Sequence, residues 1–339
     1  MAYLADEMLT RVLRDVSRSF YLTLRALPAA VRRQIGLAYL LARTSDTIAD
    51  TEIVTLDHRL RALSQLRDRI LGSGRDVLDF GELARHQGSP AERVLLVECE
   101  TSLKLLEDLE TVDREQVRAV LTTILSGQEL DLRRFSGAAR DLVKALANAR
   151  DLDDYTYRVA GCVGEFWTRV CRAHLFPRDS LDDTTLLAQA VRFGQGLQLV
   201  NILRDLPADL QQGRCYLPAE ELAACGLTPA DLLDPAVEPK LRPLYDAWLN
   251  QAEQHLQAGW IYTNSLPRRC FRVRLACAWP LLIGRETLAL LRRGKVLDPL
   301  QRLKVGRAQV RNIIWRSVLC YPWPSAWRSL YPPARHDSH

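Results

Sequence analysis

The chain has 339 residues, 47% of them apolar and 26% charged, with 17 glycines and 16 prolines. That length fits one large domain or two ordinary ones, and the composition excludes disordered, collagen-like and low-complexity classes. The formal net charge of +5, from 46 basic and 41 acidic side chains, is too small to indicate a nucleic-acid binder, so no nucleic-acid partner is expected.

The first residues, Met1 to Met8, carry no basic n-region and no apolar h-region, which argues against a secretory signal. From Val31 onward the apolar positions recur at three- and four-residue steps. The spacing predicts helices over Val31–Ala49, Pro90–Leu109, Arg114–Leu132, Leu186–Leu203, Leu241–Tyr262 and Pro299–Val318. Period-2 strand signals are nearly absent, while Pro and Gly punctuate the helices at Gly72–Gly74, Gly88–Pro90, Gly213–Pro218 and Asp234–Pro235. An all-α bundle is therefore expected, formed by one domain over residues 1–320 and followed by an irregular Pro- and aromatic-rich tail over 321–339. The tail aromatics either cover a core edge, the favoured reading, or make a peripheral contact at a membrane interface.

The longest apolar stretch, Leu275–Gly284, falls far short of the roughly 20 residues of a membrane span. A cytoplasmic protein is expected. Its eight cysteines form no C-x-x-C pair and read as buried or half-buried thiols.

The informative feature is a similarity between two distant segments. Tyr39-Leu-Leu-Ala-Arg43-Thr-Ser-Asp46-Thr-Ile-Ala-Asp50 and Gln198-Leu-Val-Asn201-Ile-Leu-Arg204-Asp205-Leu-Pro-Ala-Asp209 each end an apolar helix in D-x-x-x-D beside an arginine. Residues i and i+4 share a helix face, so each motif aims two carboxylates at one place. Like charges at that spacing, near a helix C-terminus, oppose both each other and the helix dipole. One such motif alone reads as a solvated helix face; two in matching contexts point to a cation. Hard oxygen ligands suit Mg²⁺, which takes one or two carboxylates plus substrate phosphate. Arg18, Arg43, Arg204 and Arg214 supply guanidinium groups that fit phosphate oxygens. Acids, Mg²⁺ and arginines beside apolar helices describe a site for a prenyl diphosphate.

At these residues the chain resembles the squalene/phytoene synthase family, the head-to-head prenyl transferases, over roughly Leu9 to Ser317. The resemblance rests on Ser17-Arg-Ser-Phe20, on both aspartate motifs and on Tyr155-Thr-Tyr-Arg-Val-Ala-Gly161-Cys-Val-Gly164. It extends to Gly127-Gln-Glu-Leu-Asp131-Leu-Arg-Arg-Phe135 and Gly213-Arg214-Cys-Tyr-Leu-Pro218. It implies an isoprenoid-synthase helical bundle around a central apolar cavity, with the aspartate motifs on opposite walls. It further implies that Asp46, Asp50, Asp205 and Asp209 hold Mg²⁺ against diphosphate. Ser17, Arg18, Ser19, Tyr39, Arg43, Arg204 and Arg214 would bind phosphate oxygens, Gln198 and Asn201 would position the reacting region, and Tyr155 would take a proton. A phenol is a weak base, so departing diphosphate is at least as good a proton acceptor, and Tyr155 also reads as a wall-packing aromatic. Gly161 and Gly164 read first as close-packing positions, and Gly194-Gln-Gly196 is no dinucleotide fingerprint because no strand precedes it.

Within the family, Tyr39–Asp46 and Cys277-Ala-Trp-Pro280 look most like the squalene-forming members. Lys304 and Arg307 resemble an element associated there with NADPH, though a solvated helix face explains them as well. The resemblance thus implies that two farnesyl diphosphates, Mg²⁺ and NADPH give squalene through presqualene diphosphate. The alternative is a non-reductive member making phytoene, dehydrosqualene, hydroxysqualene or presqualene diphosphate. A non-catalytic relative would be expected to lose the acids, and all four are present.

Overall fold

The computed structural model describes residues 20–332 apart from 302, so Ser17, Arg18 and Ser19 lie outside the described residues. The contacts group into two compact units, one ending at Ser136 and including Glu165–Ser180, the other formed by Gly137–Gly164 and the residues from Leu181 onward.

The first unit runs through α1 (Phe20–Ala26), α2 (Ala29–Asp50), α3 (Leu56–Leu71), α4 (Gly81–Arg85), α5 (Pro90–Val97), α6 (Cys99–Glu107) and α7 (Thr111–Arg134). Local chemistry sets the helix ends. Thr55 accepts from the His58 amide to start α3, and Gly72, at φ 78°, closes it in the left-handed region that glycine adopts without strain. Ser89 caps α5 ahead of Pro90 at its first position.

The single helix predicted over Pro90–Leu109 is broken at Glu98. There the Glu98 carboxylate accepts from the Thr101 hydroxyl at 3.0 Å, and the apolar period resumes one residue later. A buried polar knot ties the unit together. Asp113 accepts from Gln34 Nε2 at 2.7 Å and meets His174 Nε2 at 2.7 Å, so each oxygen of this buried carboxylate finds a partner.

The second unit opens with strand β1 (Lys144–Leu146) and α8 (Ala149–Thr156), then a π-helical turn (Tyr157–Gly161) and the start of α9 (Cys162–Leu175), whose residues from Glu165 onward belong to the first unit. It continues with α10 (Asp183–Gln211), β2 (Arg214–Pro218), α11 (Ala219–Ala224), α12 (Glu238–Ser265), α13 (Phe271–Arg293), α14 (Arg307–Cys320) and α15 (Pro324–Arg328). α10 packs along α12, and α12 along α13. Leu203, Tyr245, Leu249, Leu256, Ala278 and Leu281 form part of that core.

Two expectations are refined here. The segment Gly213–Pro218 reads as a loop, but Arg214–Pro218 pairs as a parallel strand with Lys144–Leu146, because Cys215, Tyr216 and Leu217 are buried and their backbone groups require partners. The helix predicted from Pro299 starts instead at Arg307, since Asp298 draws the following chain into a turn by accepting from the Leu300 and Gln301 amides. Six of the eight thiols are buried and two are half-buried, and burial pushes Cys99 and Cys215 up to about 12, far from a reactive thiolate.

Candidate active site

The first acid pair belongs to α2. From Gln34 to Ile48 every residue is buried except Tyr39, Ala42, Arg43 and Asp46, and the same stripe continues through Ala49 and Asp50. The steps from 39 to 43, 46 and 50 are those of one helix face. The polar run Thr44, Ser45 and Thr47 turns inward at no cost in unpaired groups: each hydroxyl donates back to a carbonyl of the preceding turn, at 2.9, 2.7 and 2.9 Å. What remains outward is a phenol, a guanidinium and two carboxylates.

Arg43 lies between two acids, 3.8 Å from Asp46 and 2.5 Å from Glu92 of α5. Burial works against its charge, but Asp46 and Glu92 outweigh that and raise its pKa. Gln128 of α7, itself buried, donates its amide to Asp46 Oδ1. Burial, and then the neighbouring Asp50 charge, push the Asp46 carboxyl up to about 6, against the pull of Arg43 and Gln128. Two carboxylates held this close, with Asp46 disfavoured in its ionised form, suit a divalent cation.

The second acid pair belongs to α10, with Arg214 on the strand after it. Between Gln195 and Leu210 the unburied residues are Leu197, Gln198, Asn201, Arg204, Asp205, Pro207, Ala208 and Asp209. Gln198, Asn201, Asp205 and Asp209 therefore share one face at steps of three, four and four. Arg204 grips Asp205 with both ends of its fork, Nε to Oδ1 at 2.8 Å and Nη2 to Oδ2. Gly213 turns the chain toward Arg214: its φ is +75°, and a Cβ there would lie 2.3 Å from the Ala139 carbonyl oxygen. Arg214 then enters β2 opposite Lys144. Tyr155, at the end of α8, stacks on Tyr216 of β2 with ring centroids 4.8 Å apart.

Pro207 sits inside the D-x-x-x-D turn. It has no N–H, so the carbonyl four residues back, on Leu203, loses its helical donor. The Tyr245 hydroxyl supplies one at 2.8 Å. Burial pushes the Tyr245 phenol up, so it stays protonated and able to donate. Tyr245→Phe should cost about 1–3 kcal/mol of stability in urea titrations and raise the Mg²⁺ concentration that half-saturates activity. An unchanged Mg²⁺ requirement would show that the helix keeps its acid spacing without the hydroxyl.

The structure thus brings Tyr39, Arg43, Asp46 and Asp50 onto one stripe, and Gln198, Asn201, Arg204, Asp205 and Asp209 onto another. Lys304 and Arg307 stand elsewhere, both exposed at and before the start of α14. Glu92, Gln128, Tyr216 and Tyr245 were not expected from the sequence. Gln128 falls in the Gly127–Phe135 segment already singled out, but nothing in the spacing shows that an amide 82 positions away would reach Asp46. Among the described residues no three acids, histidines or cysteines cluster into a metal cage. Paired carboxylates on open faces fit Mg²⁺ held jointly with substrate phosphate.

The fold is that of the helical isoprenoid synthases. A solved structure of TcSQS in complex with the ligand E5700 superposes with a TM-score of 0.77 at 20% identity, over 96% of this chain and 89% of that one. The family model for squalene/phytoene synthase matches residues 13–309, and the chain belongs to that family of head-to-head prenyltransferases. Presqualene diphosphate synthase of Sinorhizobium fredii is 28% identical over 309 residues, covering 89% of this chain and 93% of that protein. Squalene synthase of Schizosaccharomyces pombe is 26% identical over 313 residues, covering 91% and 64% respectively.

Proposed function

We propose that the protein condenses two farnesyl diphosphates head to head, forming presqualene diphosphate and then, with NADPH, squalene. The carrying observation is that each of two largely buried helix segments, Gln34–Asp50 and Gln195–Leu210, leaves a polar stripe unburied, and each stripe bears an acid pair next to an arginine. Mg²⁺, when bound, would neutralise diphosphate and so make it a better leaving group. Asp46 and Asp50 would hold it at one diphosphate, and Asp205 and Asp209 at the other. Arg43 and Arg214 would take phosphate oxygens, and Arg204 would do so on releasing Asp205.

The first diphosphate leaves as its C–O bond breaks, and the second substrate's double bond attacks the allylic cation. Loss of a proton then closes a cyclopropane. Gln198 and Asn201, on the Asp205 face, would orient the reacting chains. The tyrosine stack leaves departing diphosphate as a proton acceptor at least as apt as Tyr155. Presqualene diphosphate loses its own diphosphate, rearranges and accepts hydride, which NADPH supplies when bound. Lys304 and Arg307, as exposed cations, fit the phosphates of that cofactor and offer nothing to recognise nicotinamide.

A second reading, in which the reaction stops at presqualene diphosphate, is favoured by the Sinorhizobium fredii relative of that name. Product analysis with farnesyl diphosphate and Mg²⁺ separates the two. Squalene appearing only when NADPH is added is the expected result. Presqualene diphosphate in both arms would establish the second reading, and phytoene from geranylgeranyl diphosphate alone would overturn both.

A further inference from the structure

The two acid pairs have matched exposure but are held differently. Arg43 and Arg204 are each 29% exposed, and the side chains of Asp46 and Asp205 are 47% and 48% exposed. Solvent therefore screens the two pairs equally, and their neighbours decide how each arginine is used. Arg204 has closed on Asp205 with both ends of its fork, occupying both carboxylate oxygens. Arg43 lies within reach of Asp46, yet its Nη1 stops 3.8 Å from Asp46 Oδ2, too far for a hydrogen bond. Its Nη2 instead donates to Glu92 Oε1 at 2.5 Å.

Glu92 is diverted from an ordinary local duty. The run Ser89-Pro-Ala-Glu92 has the form of a capping box, in which the glutamate side chain reaches back to the amide of the capping serine. Ser89 keeps its half of that arrangement, accepting from the Glu92 amide at 3.5 Å. The Glu92 carboxylate instead takes Arg43 from another helix, 49 positions away in sequence. Gln128 fixes Asp46 through a neutral amide, which orients the carboxylate without cancelling its charge. Among the described residues, the ion pair of Arg204 is with Asp205 alone, and no second acid draws it off.

We propose that Glu92 is a positioning residue that keeps Asp46 open, so that the first acid pair takes up a divalent cation before any diphosphate arrives. The second pair is closed by its own arginine and opens when a diphosphate draws Arg204 away. The inference rests on the reading of both pairs as cation sites. Mg²⁺ binds through one or two carboxylates, so it gains little from oxygens already committed to a guanidinium. Displacing Arg204 from a two-pronged pair costs more than entering beside an arginine that another acid already holds. Diphosphate removes that cost, because it offers the same guanidinium a more highly charged bidentate partner. Loading is then sequential: a cation at Asp46 and Asp50 first, and a cation together with substrate at Asp205 and Asp209 second.

The test is a titration of the full chain with Mn²⁺ alone, read by electron paramagnetic resonance, and repeated with inorganic diphosphate present. Without diphosphate, Asp46→Asn should abolish binding that Asp205→Asn leaves intact. Glu92→Gln should weaken that binding about fivefold, as Arg43 swings onto Asp46, with the helical circular dichroism unchanged. Arg43→Gln alone should bind at least as tightly as the parent. In that Arg43→Gln background, Glu92→Gln should have no further effect, because Glu92 acts only through the guanidinium. With diphosphate, binding should come to depend on Asp205 as well. Unchanged affinity in Glu92→Gln would overturn the proposal. So would a loss that persists in the Arg43→Gln background, which would make Glu92 a direct source of charge. A parent protein that binds Mn²⁺ only once diphosphate is present would overturn it too. Binding indifferent to Asp46 and Asp205 in both conditions would go further and remove the acid pairs as cation sites.

Discussion

Asp46→Asn and Asp205→Asn, each introduced alone, should lower turnover of farnesyl diphosphate by about 10²–10³-fold and leave the helical circular dichroism unchanged. Each replaces a charged oxygen on an open stripe by a neutral amide of nearly the same shape, so packing survives while the cation site loses a ligand. Full activity in either variant would remove that acid pair from the proposed site.

The Asp46 change has a second effect of opposite sign. The folded protein raises this carboxyl from its ordinary 3.8 to about 6, so the fold binds its proton more tightly than the unfolded chain does. The stabilising contribution is complete below the unfolded value and is lost as the pH rises through about 6. Asparagine has no charge to lose. Without Mg²⁺, Asp46→Asn should therefore melt above the parent at pH 8 and together with it below pH 4. The side chain is 47% exposed. Solvent screening therefore cuts the gain to about 1 kcal/mol, or roughly 1–2 °C for a protein of this size. A lower melting temperature at pH 8 would show that ionised Asp46 does not strain the fold.

Gly164→Ala should yield insoluble protein, or protein destabilised by more than about 4 kcal/mol. A Cβ at Gly164 would lie 2.0 Å from the carbonyl oxygen of Ala190, and one at Gly194 would lie 2.1 Å from that of Ala160. Both obstacles are helix backbone, which cannot rotate aside as a side chain can, so the segment through the π turn would have to move away from α10. Gly88 is the matched control, because a Cβ there meets nothing within 4 Å. Gly88→Ala should be silent in the same urea titration. Soluble Gly164→Ala with parental stability would mean that the two segments can separate without loss.

Much of the architecture was legible because the signals are local. Apolar periodicity marked α2, α7 and α12 to within three residues but missed the last eight residues of α10, and the close-packing reading of Gly161 and Gly164 rested on residue size alone. The acid pairs were legible because a helix converts a four-residue spacing into a shared face. What stayed hidden is set by tertiary neighbours. Glu92 and Gln128 reach Arg43 and Asp46 from other helices, and no property of their own segments marks them. The tail shows the same limit: its aromatics look alike in sequence, yet Trp327 within α15 is buried and Trp323 just before it exposed.

Pro207 and its hydroxyl donor couple regions that sequence distance separates. A core tyrosine 42 positions beyond Leu203 supplies the donor that Pro207, between Asp205 and Asp209, takes from the helix. Selection for catalysis thus extends to a side chain that never meets a substrate. Variation at Tyr245 would surface as altered metal demand well before the protein failed to fold, so the accuracy of the second acid pair is inherited from the core.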